Sequence, residues 1–487
     1  MRELQRNLYL YIKKEVNKVT KFLWGSATAA YQCEGGWKDG GKGMSNWDAF
    51  CHSEKNVVNP VTGDVASDHY HRYEEDIRML SEGGQNAYRF SIAWTRIIPN
   101  GVGEISKEGI AFYHRILDTC KKYKVEPLVT LYHYDLPQSL FEKGGWENRK
   151  TVQAYIEYAK VCFESFGDKV KLWATINEPN YETFCCYGRG NYPPNVQDLG
   201  RRWKAMYHLL LASASAISAY KDMKGKGQIG IVSDSYSIEA LKDTTEYKEA
   251  IYLADLFYNR CVNEVSVNGV YSQGFVEKLK SDGFDLSYMF EEDKETFIKG
   301  KVDYLGINAY DRTLVKPYIG GENIMTANNT GDGKTKNETS IKGWFALDED
   351  PHTEKNAWGC ELYPKAVYNL LMKLREVYPN TPIIITENGI GYYDKVEDGC
   401  IHDDYRIQFL SSYLEWIKRA IKDGCDVRGY FVWSTMDLYS WINGYKKRYG
   451  LVYVDYDNEN NRIPKDSYYW YKQYILSEGE KFNGNVQ

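Results

Sequence analysis

Two acidic residues stand where chemistry could use them, each closing a short apolar run: Thr175-Ile176-Asn177-Glu178-Pro179 and Ile385-Thr386-Glu387-Asn388-Gly389. A glutamate leaving an apolar strand is costly to bury unless it is paired or at work. Taken singly, either could cap a following helix or join a structural ion pair. Facing one another, they are what cleavage of a glycosidic bond needs: a proton donor on one side of the bond and a nucleophile or base on the other. Their neighbours fit that use. Asn177 could hydrogen-bond a sugar 2-hydroxyl, and Arg89, in Tyr88-Arg89-Phe90-Ser91, could hold one carboxylate ionised.

Two such glutamates can meet only if the chain brings strand ends together. Short β-branched or aromatic runs predict strands at 22–25, 87–92, 127–132, 172–176, 229–232, 302–307, 382–386 and 427–432. Runs such as Ile383-Ile384-Ile385 show no alternation, as expected for parallel strands buried on both faces. Between them, Val152, Tyr155, Ile156, Ala159, Cys162, Phe163 and Phe166 keep helical spacing, as do Ile407, Leu410, Leu414, Ile417 and Ile421. Eight strands alternating with helices predict an α/β fold, a single (β/α)8 barrel with elaborated loops at the carboxyl ends of its strands, where such folds carry their working residues. A doubly wound open sheet alternates in the same way. The stretch 320–343, rich in Gly, Asn, Thr and Lys, reads as a long polar loop.

The chain has 487 residues, 43% hydrophobic and 26% charged, which excludes a disordered polymer and suffices for a large core. Residues 1–20 read as an N-terminal extension and 21–487 as one catalytic domain. A net charge of -6 with no long basic run removes nucleic acid and anionic membrane as expected partners. Leu8-Tyr9-Leu10-Tyr11-Ile12 is too short for a signal core or a membrane span. The ten cysteines lack a Cys-x-x-Cys pair and suit a reducing cytoplasm, with Cys185 and Cys186 expected to be simply buried. Asp68-His69-Tyr70-His71 has His-x-His spacing, but the charged residues after it predict a helix of structural use. Neither a metal nor a cofactor is called for.

The sequence also resembles glycoside hydrolase family 1. FLWGSATAAYQCEG at 22–35, YRFSIAWTRIIP at 88–99, TLYHYDLP at 130–137, TINEP at 175–179, LGINAY at 305–310, ITENG at 385–389 and GYKKRYGLVYVD at 444–455 stand in the family's order across nearly the whole chain. The resemblance implies a retaining double displacement, with Glu178 as acid/base and Glu387 as nucleophile. It further implies that Gln32, His133, Asn177, Tyr310 and Trp433 line the subsite of the cleaved sugar, with Arg89 and Asn308 beside them. In retaining enzymes the two carboxyls lie about 5 to 5.5 Å apart, so the better-supported one stays ionised and the other keeps its proton.

Members acting on unphosphorylated glucosides usually read Asp-Asn-Phe-Glu-Trp after the last strand; here the stretch is Asp437-Leu438-Tyr439-Ser440-Trp441. Ser440 in place of that glutamate, with Lys447 and Tyr449 following, resembles the 6-phosphate site of the family's phospho-glycosidases. A phosphate monoester carries about -1.5 to -2 charges at pH 7. Each would be opposed by about 4 kcal/mol by a glutamate 4 Å away at an effective dielectric of 20. The competing expectation is that Lys446, Lys447 and Arg448 form a solvated basic turn. Trp441 slightly favours a galactoside over a glucoside, dual specificity staying open. Cys360 occupies the place of a usual aglycone-stacking tryptophan, and Ala309 that of a usual aromatic. The expected substrate is a small 6-phosphorylated β-galactoside or β-glucoside met in the cytoplasm. The alternatives are an unphosphorylated β-glycoside and a catalytically silent sugar-binding barrel.

Overall fold

The eight apolar runs become eight parallel strands: β1 (Leu23–Ala27), β2 (Ala87–Ser91), β3 (Glu126–Tyr132), β4 (Leu172–Asn177), β5 (Gln228–Asp234), β6 (Tyr304–Asn308), β7 (Ile383–Asn388) and β8 (Val427–Trp433). In the computed structural model, which describes residues 21–53, 61–328, 331 and 333–482, they close into a barrel in sequence order, β8 pairing with β1. An open doubly wound sheet is thereby excluded. The expected extension at 1–20 lies outside the described residues. Among the described residues, no helix is long and apolar enough to cross a membrane.

Every barrel strand sends a residue into a shared buried cluster, Ala27, Ala87, Leu128, Ala174, Val232, Tyr304, Ile384 and Phe431, which Trp433 of β8 joins as well. Small side chains on β1, β2 and β4 face large ones on β6, β7 and β8 there, because the interior of an eight-stranded barrel is filled by side chains in layers. Gly25 makes room for Phe431: a Cβ there would come within 2.7 Å of its ring. Outside, helix Lys150–Phe166 buries Val152, Tyr155, Ala159, Cys162, Phe163 and Phe166, while Ile156 is only half-buried. Helix Asp404–Lys422 buries Leu410, Leu414 and Ile417 in the same manner.

The His-x-His pair opens helix His69–Glu82, where His69 Nδ1 bonds Asp76 at 2.7 Å and Asp76 in turn pairs with Arg462. That is structural use. All ten cysteines are unpaired, and Cys185 and Cys186 are buried. The reading of 320–343 as loop alone needs correction, since Ile324–Thr326 and Glu338–Ile341 form antiparallel strands of a five-stranded sheet beside the barrel mouth. Thr339 pairs with Met325 and both face inward. Two strands this short are masked in sequence by the polar, Gly-rich residues around them.

Candidate active site

Glu178 follows β4 directly and takes a left-handed backbone conformation, φ 44°, before Pro179 opens the next helix. Left-handed backbone is unfavourable for a residue with a side chain and clusters at working sites. Glu387 lies inside β7, where the pairing with β6 and with β8 shifts register just after Ile385. Such an irregularity re-aims a side chain. The two turns bring both carboxyls into one cavity of about 430 Å³ at the carboxyl end of the barrel.

Their surroundings differ. Glu387 Oε1 accepts from Arg89 Nη1 at 2.5 Å, and Oε2 accepts from the Tyr310 hydroxyl at 2.7 Å. Among the described residues, no cation lies at ion-pair distance from Glu178; its Oε1 accepts from Asn308 Nδ2 at 2.6 Å and its Oε2 from the Tyr134 hydroxyl. Burial, and then the negative charge of Glu387, push the Glu178 carboxyl up to about 7, against the donors Tyr134 and Asn308. Burial raises Glu387 too, but the Arg89 guanidinium opposes it first and the Tyr310 hydroxyl next. The pair's proton is thereby favoured on Glu178 and its negative charge on Glu387. A carboxyl that can give a proton thus faces a carboxylate that can attack carbon.

Gln32, His133, Glu178, Tyr310, Glu387, Trp433, Ser440, Trp441, Lys447 and Tyr449, all marked in the sequence, line this cavity. Arg89, Asn177 and Asn308 do not; they lie beneath it, each at most 1% exposed. Asn177 was expected to meet a sugar hydroxyl, yet its Oδ1 accepts from Arg89 at 2.6 Å and from Asn308 at 3.2 Å, and its Nδ2 lies 3.2 Å from His133 Nε2. These three residues orient the others. Burial, with the charge of Arg89, holds the His133 imidazolium well below its ordinary range, so the ring is neutral. Among the described residues, His133 Nδ1 and Gln32 Oε1 are buried without hydrogen-bond partners.

The basic turn divides by function. Lys446 is exposed and Arg448 is tied to Asp437 at 2.8 Å, whereas Lys447 turns into the cavity with its ammonium 4.3 Å from the Trp358 ring centre and 5.2 Å from that of Tyr449. A uniformly solvated turn is therefore ruled out. Trp441 packs on Tyr31 with ring centres 5.8 Å apart, leaving it only half-buried at the cavity wall. Sequence reasoning missed Tyr134, Tyr181, Arg189, Asp234 and Asp311. Asp234 ends β5 as a charge closing an apolar strand, so the signal that marked the glutamates could have found it, whereas Tyr134, two residues past β3, carries no charge. Arg189 and Tyr181 carry no such signal.

The family model for Glycosyl hydrolase family 1 matches residues 17–480. The chain belongs to this family. It is a glycoside hydrolase, and this family 1 hydrolase has relatives of two kinds. It is 39% identical over 468 residues to Aryl-phospho-beta-D-glucosidase BglC of Bacillus subtilis, covering 94% of this chain and 97% of that protein. It is 40% identical over 460 residues to a 6-phospho-beta-galactosidase of Clostridium acetobutylicum, covering 93% and 95%. Among solved structures, the beta-glucosidase from Thermotoga maritima in complex with glucoimidazole superposes with a TM-score of 0.83 at 38% identity, over 96% of this chain and 99% of that one.

Proposed function

We propose that this hydrolase cleaves β-glycosides with retention of configuration, and that its sugars carry a 6-phosphate. The observation that carries the mechanism is the division of charge at the barrel mouth, with Glu387 paired to Arg89 and Glu178 raised to about 7. The Glu387 carboxylate attacks the anomeric carbon as Glu178 gives its proton to the departing oxygen; the carbon–oxygen bond breaks and a glycosyl ester forms. The ester leaves Glu387 uncharged, so the repulsion that raised Glu178 disappears. Glu178 then takes a proton from water, whose oxygen attacks the same carbon and releases Glu387.

Phosphate recognition rests on Ser440, Lys447 and Tyr449 lining one cavity, with Lys447 unengaged by any carboxylate at ion-pair distance among the described residues. Two relatives named above act on phosphorylated glycosides, which supports the same reading. A second reading, hydrolysis of unphosphorylated β-glucosides, is favoured by the 38% identity to Beta-glucosidase A of Thermotoga maritima. Trp441 at the cavity wall inclines the choice of epimer toward galactose. A phosphorylated substrate also implies a cytoplasmic enzyme, where transport coupled to phosphorylation delivers such sugars.

The test compares p-nitrophenyl β-galactoside and β-glucoside, each with and without a 6-phosphate, on the intact protein and on Lys447→Ala. The phosphorylated compounds should be preferred in kcat/KM, and Lys447→Ala should cut that preference about tenfold or more. Equal rates on the unphosphorylated compounds refute phosphate specificity, and an unchanged preference in Lys447→Ala removes Lys447 from the site. Proton NMR of the first-formed product should give the β-anomer; an α-anomer would overturn the double displacement.

A further inference from the structure

The cavity lining continues past Glu178 through Tyr181, Arg189, Asp234, Asp311 and Cys360. Glu178 delivers its proton on the side of the leaving group, and Tyr181 follows it on the helix Pro179–Thr183, so this stretch receives the aglycone. Family 1 enzymes often stack an aromatic ring there; Cys360 offers no flat face. What the wall offers instead is charge.

Arg189 ends the helical segment Phe184–Arg189. Its guanidinium lies 4.8 Å from the Phe184 ring centre and 5.8 Å from that of Tyr181. Its Nη1 lies 4.0 Å from the Cys185 thiol, and among the described residues its buried Nε has no hydrogen-bond partner. The other arginines and one lysine of the cavity are neutralised: Arg312 by Glu361 at 2.6 Å, Lys355 by Glu349 at 2.5 Å, and Arg89 beneath by Glu387 at 2.5 Å. Arg189 has no carboxylate at ion-pair distance among the described residues, and it is ringed by phenols of Tyr181, Tyr236 and Tyr258. The two carboxyls on this wall do little to offset it. Asp234 takes the Tyr236 hydroxyl and is pushed up by burial and by the charge of Glu178, and burial, then Glu361, bring Asp311 to about 7. A half-desolvated guanidinium with open donors is a costly arrangement unless a ligand anion completes it.

We propose that Arg189 selects β-glycosides whose leaving group carries a carboxylate. This deepens the reading above and rests on it. A carboxylate on the aglycone accepts from the guanidinium in a site partly withdrawn from water, where a charge-assisted hydrogen bond is strong. Asp234 and Asp311, whose carboxyls burial raises, repel it less than ordinary carboxylates would.

The experiment uses 4-carboxyphenyl and 4-carbamoylphenyl β-glycosides of one sugar, the glycone turned over fastest in the preceding test. The two leaving groups share a shape and differ in charge, so any contact of Arg189 with the glycone cancels. The intact protein should prefer the carboxylate in kcat/KM, and Arg189→Gln should lower that preference about tenfold, through KM, with Arg189→Lys retaining part of it. No preference in the intact protein, or the same preference in Arg189→Gln, overturns the proposal. Calorimetric binding of both uncleaved glycosides to the Glu178→Gln protein, with and without Arg189→Gln, makes the same comparison without turnover. Should neither glycoside be cleaved by the intact protein, the roles given to Glu178 and Glu387 fall while the binding ratio still decides Arg189.

Discussion

Replacing Glu178 by Gln should make the protein more stable, and by an amount that depends on pH. The carboxyl is raised from 4.5 to about 7 by burial and by Glu387. At 1.36 kcal/mol for each unit, that rise is worth about 3 kcal/mol. The sign follows from proton counting. Below pH 4.5 the folded and unfolded chains both hold this proton, and the group contributes no penalty. Between 4.5 and 7 the unfolded chain releases it while the folded chain keeps it, so stability falls as pH rises. Above that window the whole penalty is present. Gln keeps an acceptor for Asn308 and can donate to the Tyr134 oxygen, so the local contacts survive. Raised groups that Glu178 does not influence, such as the buried Asp255, titrate in both proteins and cancel in the difference. Chemical denaturation of both proteins across this range should therefore show the advantage of Gln growing by about 3 kcal/mol from the acid end to pH 8. The same substitution should slow cleavage of weakly acidic leaving groups about 10²- to 10⁴-fold while sparing 2,4-dinitrophenolate, which departs without a proton. A difference in stability that does not vary with pH would refute a proton-bearing Glu178.

Glu387→Gln should lower turnover on the order of 10³-fold or more with unchanged far-UV circular dichroism; substantial residual activity removes the residue as nucleophile. Arg89→Met strips the guanidinium that favours the charged form of Glu387, so the acidic limb of the kcat/KM profile should move up by about one to three units; an unmoved limb contradicts the ion pair as its cause. Tyr134→Phe removes a donor to the Glu178 carboxylate, which should raise the basic limb by about one unit, read from the same profile. A downward shift would mean that Tyr134 favours the protonated form instead.

The barrel was legible because its signal is repeated. Eight unalternating apolar runs each predict a strand buried on both faces, and all eight strands occur within a few residues of the expected bounds. The glutamates were legible for a related reason, since a charge at the end of an apolar strand contradicts its surroundings and asks for a use. Tyr134 escaped notice because a tyrosine in a Tyr-rich chain contradicts nothing. The short strands within 320–343 escaped because pairing, not composition, makes them strands.

The amino-acid order by itself determined which strands form and which carboxylates end them, because burial patterns and charge are properties of single residues and their near neighbours; that Ser440 stands where other family members carry a glutamate was implied by the resemblance. Only the tertiary structure decided that Tyr134 and Asn308 stand against Glu178, that Asn177 bonds Arg89 and lies beneath the cavity, and that Lys447 turns inward while Arg448 does not. Those outcomes depend on distances between side chains from different strands. Electrostatic and hydrogen-bond energies change over one or two ångströms, a scale that no spacing along the chain encodes.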